Sequence, residues 1–424
     1  MARRRRTWLL TITTLLMASL ASVASSAAQT KITIATHFET GQIEYLQAYF
    51  DEYERLNPHV TIEHISTPFA DFLTRLEVLQ ASGVGPDISH LYSLWMPELR
   101  DAGLIAAPPA YVTQEIERNY VSTAVDGVSM NGQVYGIPTE INNYGLVYNK
   151  RLLAERGYAN PPGDWDELID MAKRLTDRSP DGAITQAGYA FLSGWDSAVV
   201  HPYLSLLYSD GGRLFAEGNT ESLLHTTQAV TALEKQVRLF EEGATDPTVN
   251  LWGGFPGGQI AMLVMAPWWE SALKTSMGES FQDVGVAPIP AGEAGSKSIL
   301  YTWFWAVNDH SQNKEAAWDF LMWLNQKRAE GNTSRMGEYL VTLGIIPSRW
   351  DDIQNNPDQL FDHYTKPFID YLESSVPEPV VYDGQAIKNI LWAEIENAWH
   401  GRKPPRTALL DAKQAIDILL KEHY

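Results

Sequence analysis

The sequence predicts an α/β protein of two lobes with a ligand cleft between them. Strand-like and helix-like segments alternate along the chain, and 424 residues are too many for one ordinary core. The stretch from Tyr135 to Leu175 reads as a strand, a break, a second strand and two helices. A chain that leaves one sheet and promptly builds another is expected to cross between two lobes.

Pro138 is the predicted point at which the chain leaves its first sheet. Proline has no N–H to donate to a sheet ladder, so the extended segment before it is expected to end there. Residues 146–148 then predict a buried strand, and Asn149 is placed to cap the following helix. Asp164 and Glu167 have capping-box spacing at the start of the next helix.

The N-terminal part of the chain predicts a parallel sheet. Strands are expected near Ile32, Val60 and Ile88, with helices between them that begin near Gly41 and Asp71. Strand, helix and strand in this order give a right-handed crossover. Open α/β sheets bind ligands at the carboxyl ends of their strands. The polar and aromatic side chains at those ends are His37, Glu39, Ser93 and Trp95.

Composition restricts the classes of partner. The chain has 32 Lys and Arg against 52 Asp and Glu, a formal net charge of −20, which disfavours nucleic acid and anionic membranes. It has no cysteine, which excludes disulfides, thiolate metal sites and a cysteine nucleophile. We therefore expect a monomer that binds a small molecule and uses no metal and no cofactor.

Residues 1–28 predict a cleaved signal peptide. A basic segment, Arg3 to Arg6, precedes an apolar segment that runs from Trp8 to about Leu20, and small residues follow up to Ala28. The Arg-Arg pair also resembles a twin-arginine signal, so both export routes stay open. Without a cysteine there is no lipid anchor, and the predicted location is the periplasm.

Three separated motifs carry a resemblance to a known family. They are Tyr-Gly-Ile-Pro at 135–138, Tyr-Asn-Lys at 148–150, and Pro-Pro-Gly-Asp-Trp-Asp-Glu-Leu at 161–168. In this order and spacing they resemble the extracellular solute-binding proteins of the carbohydrate class, the maltose-binding-protein-like family of ABC importers. Asp164 stands where that family usually has Thr. The resemblance extends from Lys31 to the C-terminus.

This resemblance implies the fold of a periplasmic binding protein, with discontinuous lobes and three crossovers. The implied N-terminal lobe comprises 29–139 and 291–345, and the C-terminal lobe comprises 140–290 and 346–424. Hinges are expected at 138–143, 287–290 and 344–347. The implied function is to bind a neutral mono- or oligosaccharide by hinge closure and deliver it to a membrane permease.

Aromatic and polar side chains supply the candidate ligand contacts. Indole faces suit the C–H faces of sugars, and hydroxyl groups need amides and carboxylates. Trp268 matches the family's stacking tryptophan, whereas Tyr301-Thr302 replaces a glycine pair that many relatives have before Trp303. The predicted ligand-binding residues are Trp268, Trp269, Trp303, Glu140, Asn142, Asn143, His37, Glu39, Asp71, Ser93, Trp95, Trp195, Asp196, Glu270 and Tyr382.

Several assignments stay open from the sequence. Trp303 and Trp305 alternate along a strand, so at most one is expected to face the cleft. Asp71 is either a ligand contact or a helix N-cap. Arg349 either binds an anionic ligand or forms a salt bridge between the lobes.

An enzyme is the rival class of protein. A secreted glycoside hydrolase needs two carboxylates that flank the scissile bond, and the candidates are Glu39, Asp71, Glu140 and Glu270. The chain has no nucleophile elbow, phosphate-binding loop or metal-spaced His pair, so we expect no enzyme. A non-sugar polyol or a phosphodiester remains the alternative ligand.

Overall fold

A computed structural model describes residues 29–38, 40–329 and 331–424. The predicted signal peptide and the candidate Glu39 lie outside the described residues. Within these ranges the strands are β1 (Thr30–Thr36), β2 (Val60–Ser66), β3 (Ile88–Tyr92), β4 (Ser129–Met130), β5 (Gln133–Val134), β6 (Ile137–Asn142), β7 (Gly145–Asn149), β8 (Asp177–Arg178), β9 (Ile184–Ala190), β10 (Ile260–Met265), β11 (Val284–Ala287), β12 (Ser298–Val307) and β13 (Ser375–Pro377).

Helices follow or separate most of these strands. They are α1 (Thr40–Leu56), α2 (Phe69–Ala81), α3 (Met96–Asp101), α4 (Ala110–Asn119), α5 (Ser122–Gly127), α6 (Lys150–Glu155), α7 (Trp165–Leu175), α8 (Asp196–Ser209), α9 (Thr227–Glu241), α10 (Leu251–Gly254), α11 (Glu270–Met277), α12 (Lys314–Asn325), α13 (Arg335–Thr342), α14 (Trp350–Gln354), α15 (Pro357–Leu360), α16 (Thr365–Asp370), α17 (Gly384–Trp399) and α18 (Pro405–His423). None of the helices in the described ranges is long and apolar enough to cross a membrane.

The first sheet has the strand order β13-β12-β3-β1-β2, and β6 also pairs with β12. β1 lies parallel to both β2 and β3, whereas β12 runs antiparallel to β3. Helices α1, α2 and α12 contribute buried side chains such as Phe50, Phe72 and Phe320 to its core. The carboxyl ends of β1 and β3 therefore lie side by side, as the sequence predicts.

The second sheet has the order β11-β7-β10-β9-β8. Its central strand β10 is buried along its whole length, because apolar clusters cover both faces of the sheet. One cluster contains side chains of α7, α8, α9, α17 and α18. The other contains Phe255, Leu273, Tyr364 and Phe368.

The predicted helix caps are confirmed. The Asn149 side chain accepts a hydrogen bond from the backbone N–H of Leu152, 3.1 Å away. Asp164 accepts from the N–H of Glu167 at 2.8 Å, and the Glu167 carboxylate accepts from the N–H of Gly163 at 2.8 Å. These contacts satisfy N–H groups that a helix start leaves without partners.

The prediction that the chain leaves its sheet at Pro138 is wrong. Strand β6 runs through this residue, and Pro138 lies opposite Phe304 of β12. The pairing of β6 and β12 shifts in register between Thr302 and Phe304, and such an irregularity tolerates a residue without an N–H. The break comes at 143–144 instead, between β6 and β7.

The chain segments that pass between the sheets are bonded to one another. The N–H of Ile141 donates to the carbonyl of Ile346 at 3.0 Å, and the N–H of Ser348 donates to the carbonyl of Thr139 at 2.8 Å. These bonds tie 344–348 to strand β6.

Two segments depart from the predicted lobe boundaries. Strand β13 pairs with β12 of the first sheet, although 346–424 is assigned to the second lobe. Near the start of β12, Ile299 and Leu300 pack with the clusters of the second sheet. A ten-residue strand is long enough to reach both cores, so β12 belongs wholly to neither. The division into lobes elsewhere remains a prediction.

Candidate functional site

Five aromatic rings gather at the carboxyl ends of the first sheet. Trp303 stacks on His37 with ring centroids 4.0 Å apart and on Tyr92 at 5.5 Å. Trp95 meets Trp303 edge to face at 5.9 Å, and the half-exposed Phe69 stacks on Trp95 at 5.9 Å. We call these five residues the first aromatic wall. A cavity of about 840 Å³ opens beside His37 and Phe69.

Strand alternation separates the two tryptophans of β12. Trp303 retains 8% exposure within the wall, whereas Trp305 is 1% exposed and packs against Phe38 and His90. The sequence leaves open which of them faces the cleft. Trp303 lies in the first aromatic wall, and Trp305 lies in the core of the first sheet.

Three further tryptophans form a second aromatic wall near the second sheet. Trp195 precedes α8, Trp252 lies in α10 and Trp268 follows β10. Trp195 stacks on Trp252 at 6.1 Å, and Trp268 lies 6.4 Å from each of them. Trp252 is 46% exposed, so this wall presents apolar surface to solvent.

Tyr301 connects the two walls. Its ring meets Tyr92 of the first wall edge to face at 5.9 Å. Trp268 of the second wall lies near enough to the Tyr301 hydroxyl to offset part of the rise in pKa that burial causes in this phenol. Tyr301 and Trp303 are two residues apart on β12, so their side chains point to the same face.

Polar groups of β6 lie beside this tyrosine. Asn142 donates a hydrogen bond from Nδ2 to Oε1 of Glu140, 3.3 Å away. Burial raises the pKa of Glu140 to about 7. The hydrogen bond from Asn142 acts to lower this pKa, but its effect is smaller than that of burial. Buried polar atoms near the site that have no hydrogen-bond partner include Oδ1 of Asn142, the hydroxyl of Tyr339 and Nδ1 of both His37 and His90. Such atoms are expected to find partners in a ligand or in water.

His37 is uncharged in this setting. Burial lowers its pKa to about 4, so the imidazole is neutral near pH 7. It therefore offers one hydrogen-bond donor, one acceptor and a flat ring, and no positive charge.

A buried ionic network supports the first wall from behind. The Lys388 ammonium lies 2.7 Å from both the Glu378 carboxylate and the Tyr92 hydroxyl, and 2.8 Å from Nε2 of His201. Burial opposes ionisation of Glu378, but the Lys388 ammonium and the hydrogen bonds from Lys388 and His201 hold the pKa of that carboxyl well below its usual range. Glu378 also accepts a hydrogen bond from Tyr92. The network fixes Tyr92, and through it the ring of Trp303.

The structure thus brings together part of the predicted site. The predicted residues that line the two walls or the space beside Tyr301 are His37, Trp95, Trp303, Glu140, Asn142, Trp195 and Trp268. The other predicted residues have different surroundings.

Two of the remaining polar candidates hold secondary structure or chain crossings. Asn143 is fully buried, and its amide donates to the carbonyl of Phe368 at 3.0 Å and to Ser375 at 3.2 Å. Ser93 is buried at the start of the short turn that carries Trp95. Both side chains are buried, and the Asn143 amide nitrogen joins the end of β6 to two distant segments.

The acidic candidates other than Glu140 lie elsewhere. Asp71 is exposed in the first turn of α2, but the N-cap of that helix is Pro68, so the predicted capping role is wrong. Asp196 binds the amide of Gln385, whose Oε1 accepts a hydrogen bond from the Trp95 indole at 3.1 Å. Asp196 therefore positions Trp95 through Gln385.

Glu270 forms a separate buried cluster at the start of α11, beside the second sheet. The Lys274 ammonium lies 2.9 Å from Glu270 and 3.0 Å from Asp362. Burial and a shared hydrogen bond with Asp362 raise the pKa of Glu270 to about 8. Burial acts to raise the pKa of Asp362. Its hydrogen bonds outweigh this effect and lower the pKa to about 2. The two carboxyl groups share a proton beside the lysine and support the start of α11.

Three more candidates contact other parts of the protein. Tyr382 donates to Asp101 at 2.8 Å and stacks on His423 at 4.4 Å, so it joins α3 to the C-terminal helix. Trp269 is 4% exposed and packs edge to face against Trp252, which places it in the core. Arg349 pairs with Glu115 at 2.6 Å, in agreement with the salt-bridge alternative.

Sequence reasoning missed Trp252, Phe69 and Tyr339. A signal for Trp252 exists, since a tryptophan before two glycines in a short turn has little apolar surface to cover it. Tyr339 lies in an amphipathic helix and reads as an ordinary core residue. Nothing in the sequence indicates that its hydroxyl lacks a partner.

Comparison with known proteins places the chain in a family. Residues 39–330 match the family model described as bacterial extracellular solute-binding protein. The maltotriose-binding protein of Pyrococcus abyssi is 23% identical over 411 residues, which cover 92% of this chain and 78% of that protein. The erythritol/L-threitol-binding protein of Mycolicibacterium smegmatis is 28% identical over 336 residues, covering 70% of this chain and 67% of that protein.

A solved structure shares the fold. The sugar-binding protein MalE of Xanthomonas citri aligns with a TM-score of 0.80 at 20% identity, over 93% of this chain and 98% of that one. The family match spans more than half of this chain, and the fold agrees with the two sheets and crossing strands described above. The chain therefore belongs to the family of bacterial extracellular solute-binding proteins.

Proposed function

We propose that this protein is the substrate-binding component of an ABC importer and that its ligand is a mono- or oligosaccharide. The observation that carries the proposal is the placement of Glu140 and Asn142 beside Tyr301, which lies next to both aromatic walls. Sugars present both flat C–H faces and hydroxyl groups, and this site offers a partner for each.

The names of relatives support the same ligand class. Proteins named for maltotriose and for erythritol or L-threitol match this chain over most of its length. These ligands are a sugar and two polyols, and none of the names refers to an anion. We propose that the site residues are His37, Phe69, Trp95, Glu140, Asn142, Trp195, Trp252, Trp268, Tyr301, Trp303 and Tyr339.

Binding without hydrolysis is part of the proposal. A glycoside hydrolase needs two carboxylates on either side of the bond. Asp71 is exposed on α2, and Glu270 is occupied by Lys274 and Asp362, so neither is placed to act with Glu140. The protein is then expected to act as an exported monomeric receptor that delivers its ligand to membrane permease subunits.

Isothermal titration calorimetry against a panel of sugars and polyols tests this function. Saturable binding of one or more of them, with no product released on prolonged incubation, is the expected result. Binding of amino acids, peptides or phosphate esters alone contradicts the sugar assignment. Release of shorter sugars from an oligosaccharide contradicts the assignment as a receptor.

A further inference from the structure

The charges around Glu140 narrow the class of ligand, and this inference rests on the function proposed above. We infer that the saccharide carries a protonated amine, which binds at Glu140 beside Tyr301. The sequence predicts a neutral sugar. The inferred ligand differs from that expectation only in carrying one positively charged amino group.

Glu140 lacks a cationic partner within the protein. Among the residues that the structure describes, no Lys or Arg side chain forms an ion pair with it, and its carboxyl accepts a single hydrogen bond from Asn142. A carboxylate removed from water without a counter-ion is costly, and an ammonium that arrives with the ligand removes that cost.

Cations elsewhere near the crossings already have partners. Arg349 is held by Glu115 at 2.6 Å, and Lys388 is held by Glu378 at 2.7 Å. An anionic ligand would therefore meet a carboxylate beside Tyr301 and no free cation among these groups. The same arrangement favours a cationic ligand.

The neighbouring groups suit an ammonium in two further ways. The Oδ1 atom of Asn142 is an acceptor without a donor, and the hydroxyl of Tyr339 also lacks a partner. An alkylammonium carries three N–H donors, enough for Glu140, Asn142 and one more acceptor. The Tyr301 phenol lies near enough to Glu140 for the two groups to interact electrostatically, and an aromatic ring beside a carboxylate adds an attraction for a cation.

Matched sugar pairs test the inference. Glucose, maltose and maltotriose are each compared by calorimetry at pH 8 with the derivative in which the C6 hydroxyl of the terminal residue is replaced by an amine. At this pH an alkylamine is protonated and Glu140 is ionised. At least one amine derivative is expected to bind about 10-fold or more tightly than its parent sugar.

Glu140→Gln identifies the group responsible. The variant is expected to bring each pair to within about 3-fold, because it removes the charge and keeps the shape. The control Glu234→Gln removes an exposed carboxylate from α9 and is expected to keep the preference. If Glu140→Gln does not fold, wild-type titrations at pH 7 in two buffers of different ionisation enthalpy supply the answer. The amine should release about half a proton per ligand, because it holds Glu140 ionised.

The other titratable groups near Glu140 do not change their protonation in the pH range of these titrations. The groups that face Glu140 are Tyr301 on β12 and Tyr339 on α13, and burial raises the pKa of both phenols well above the range tested. Parent sugars that bind as tightly as their amines, without proton release, would overturn the inference and leave the proposed function standing. Failure of every member of every pair to bind would overturn both.

Discussion

Trp268 and Trp269 are adjacent in sequence, and the structure predicts opposite consequences for their removal. Trp268 is partly buried and belongs to the second aromatic wall, whereas Trp269 is 4% exposed and packs against Phe255. Trp268→Ala is therefore expected to weaken sugar binding, and Trp269→Ala to weaken the fold.

The magnitudes follow from the surface that each indole covers. A sugar that shields about 80 Å² of the Trp268 ring gains about 2 kcal/mol at 25 cal/mol per Å², which is about 30-fold in Kd. Truncation of a buried tryptophan costs about 3–5 kcal/mol of unfolding free energy. For a chain of this length, that loss lowers Tm by about 5 °C.

Calorimetry and thermal unfolding of the two variants form a matched pair. We expect the affinity loss to appear in Trp268→Ala with a small change in Tm, and the larger Tm loss in Trp269→Ala with near-normal affinity. If Trp268→Ala binds within about 3-fold of wild type while Tm falls steeply, Trp268 is a core residue and the second wall is not part of the site.

Three further predictions concern the ionic clusters and the hinges. Lys388→Met leaves the Glu378 carboxylate buried without its cation, so it should lower the free energy of unfolding in urea by about 3–5 kcal/mol. Adding Glu378→Gln should restore most of this loss, and equal losses in the single and double variants would contradict the network. The raised pKa of Glu270 means that the contribution of this carboxyl to stability is lost as pH rises from about 4.5 to about 8. Glu270→Gln should therefore gain Tm relative to wild type at pH 8.5 and not at pH 5, and a difference independent of pH would refute the assignment. Saturating sugar should reduce the radius of gyration in small-angle scattering if closure accompanies binding, and an unchanged radius would exclude closure.

Local signals in the sequence predict most of the local structure. Asn149 and Asp164 are found at the helix starts where their chemistry places them, and the continuous apolar run 260–265 forms a fully buried strand. These features depend on neighbouring residues, which the sequence displays directly. The prediction at Pro138 is wrong for the opposite reason. Strand β6 accommodates this proline because its pairing with β12, 160 or more residues away in sequence, is irregular there.

The candidate site is predicted less completely, because its geometry depends on distant contacts. The sequence correctly indicates aromatic residues at strand ends, and the family resemblance singles out Trp268. It gives no indication that Lys388 and Glu378 meet beneath Tyr92, or that Lys274 and Asp362 occupy Glu270. Sequence analysis assigns charged residues on helices to solvent-exposed faces, because it does not show which distant residues they contact.

The replacement of a glycine pair by Tyr301 and Thr302 shows how the departure from the family pattern is accommodated. The Thr302 hydroxyl donates to the backbone carbonyl of Glu140 at 2.6 Å, and its methyl group fills the space beside Gly127, where an added Cβ would lie only 3.1 Å away. Thr302 therefore fixes strand β6 at the residue that carries the carboxylate. Tyr301 on the same strand stands between the walls, so a ligand reaches Glu140 only alongside an aromatic ring. Under the function and ligand proposed above, the two aromatic walls supply affinity for many sugars, and the group that meets Glu140 determines which sugar is preferred.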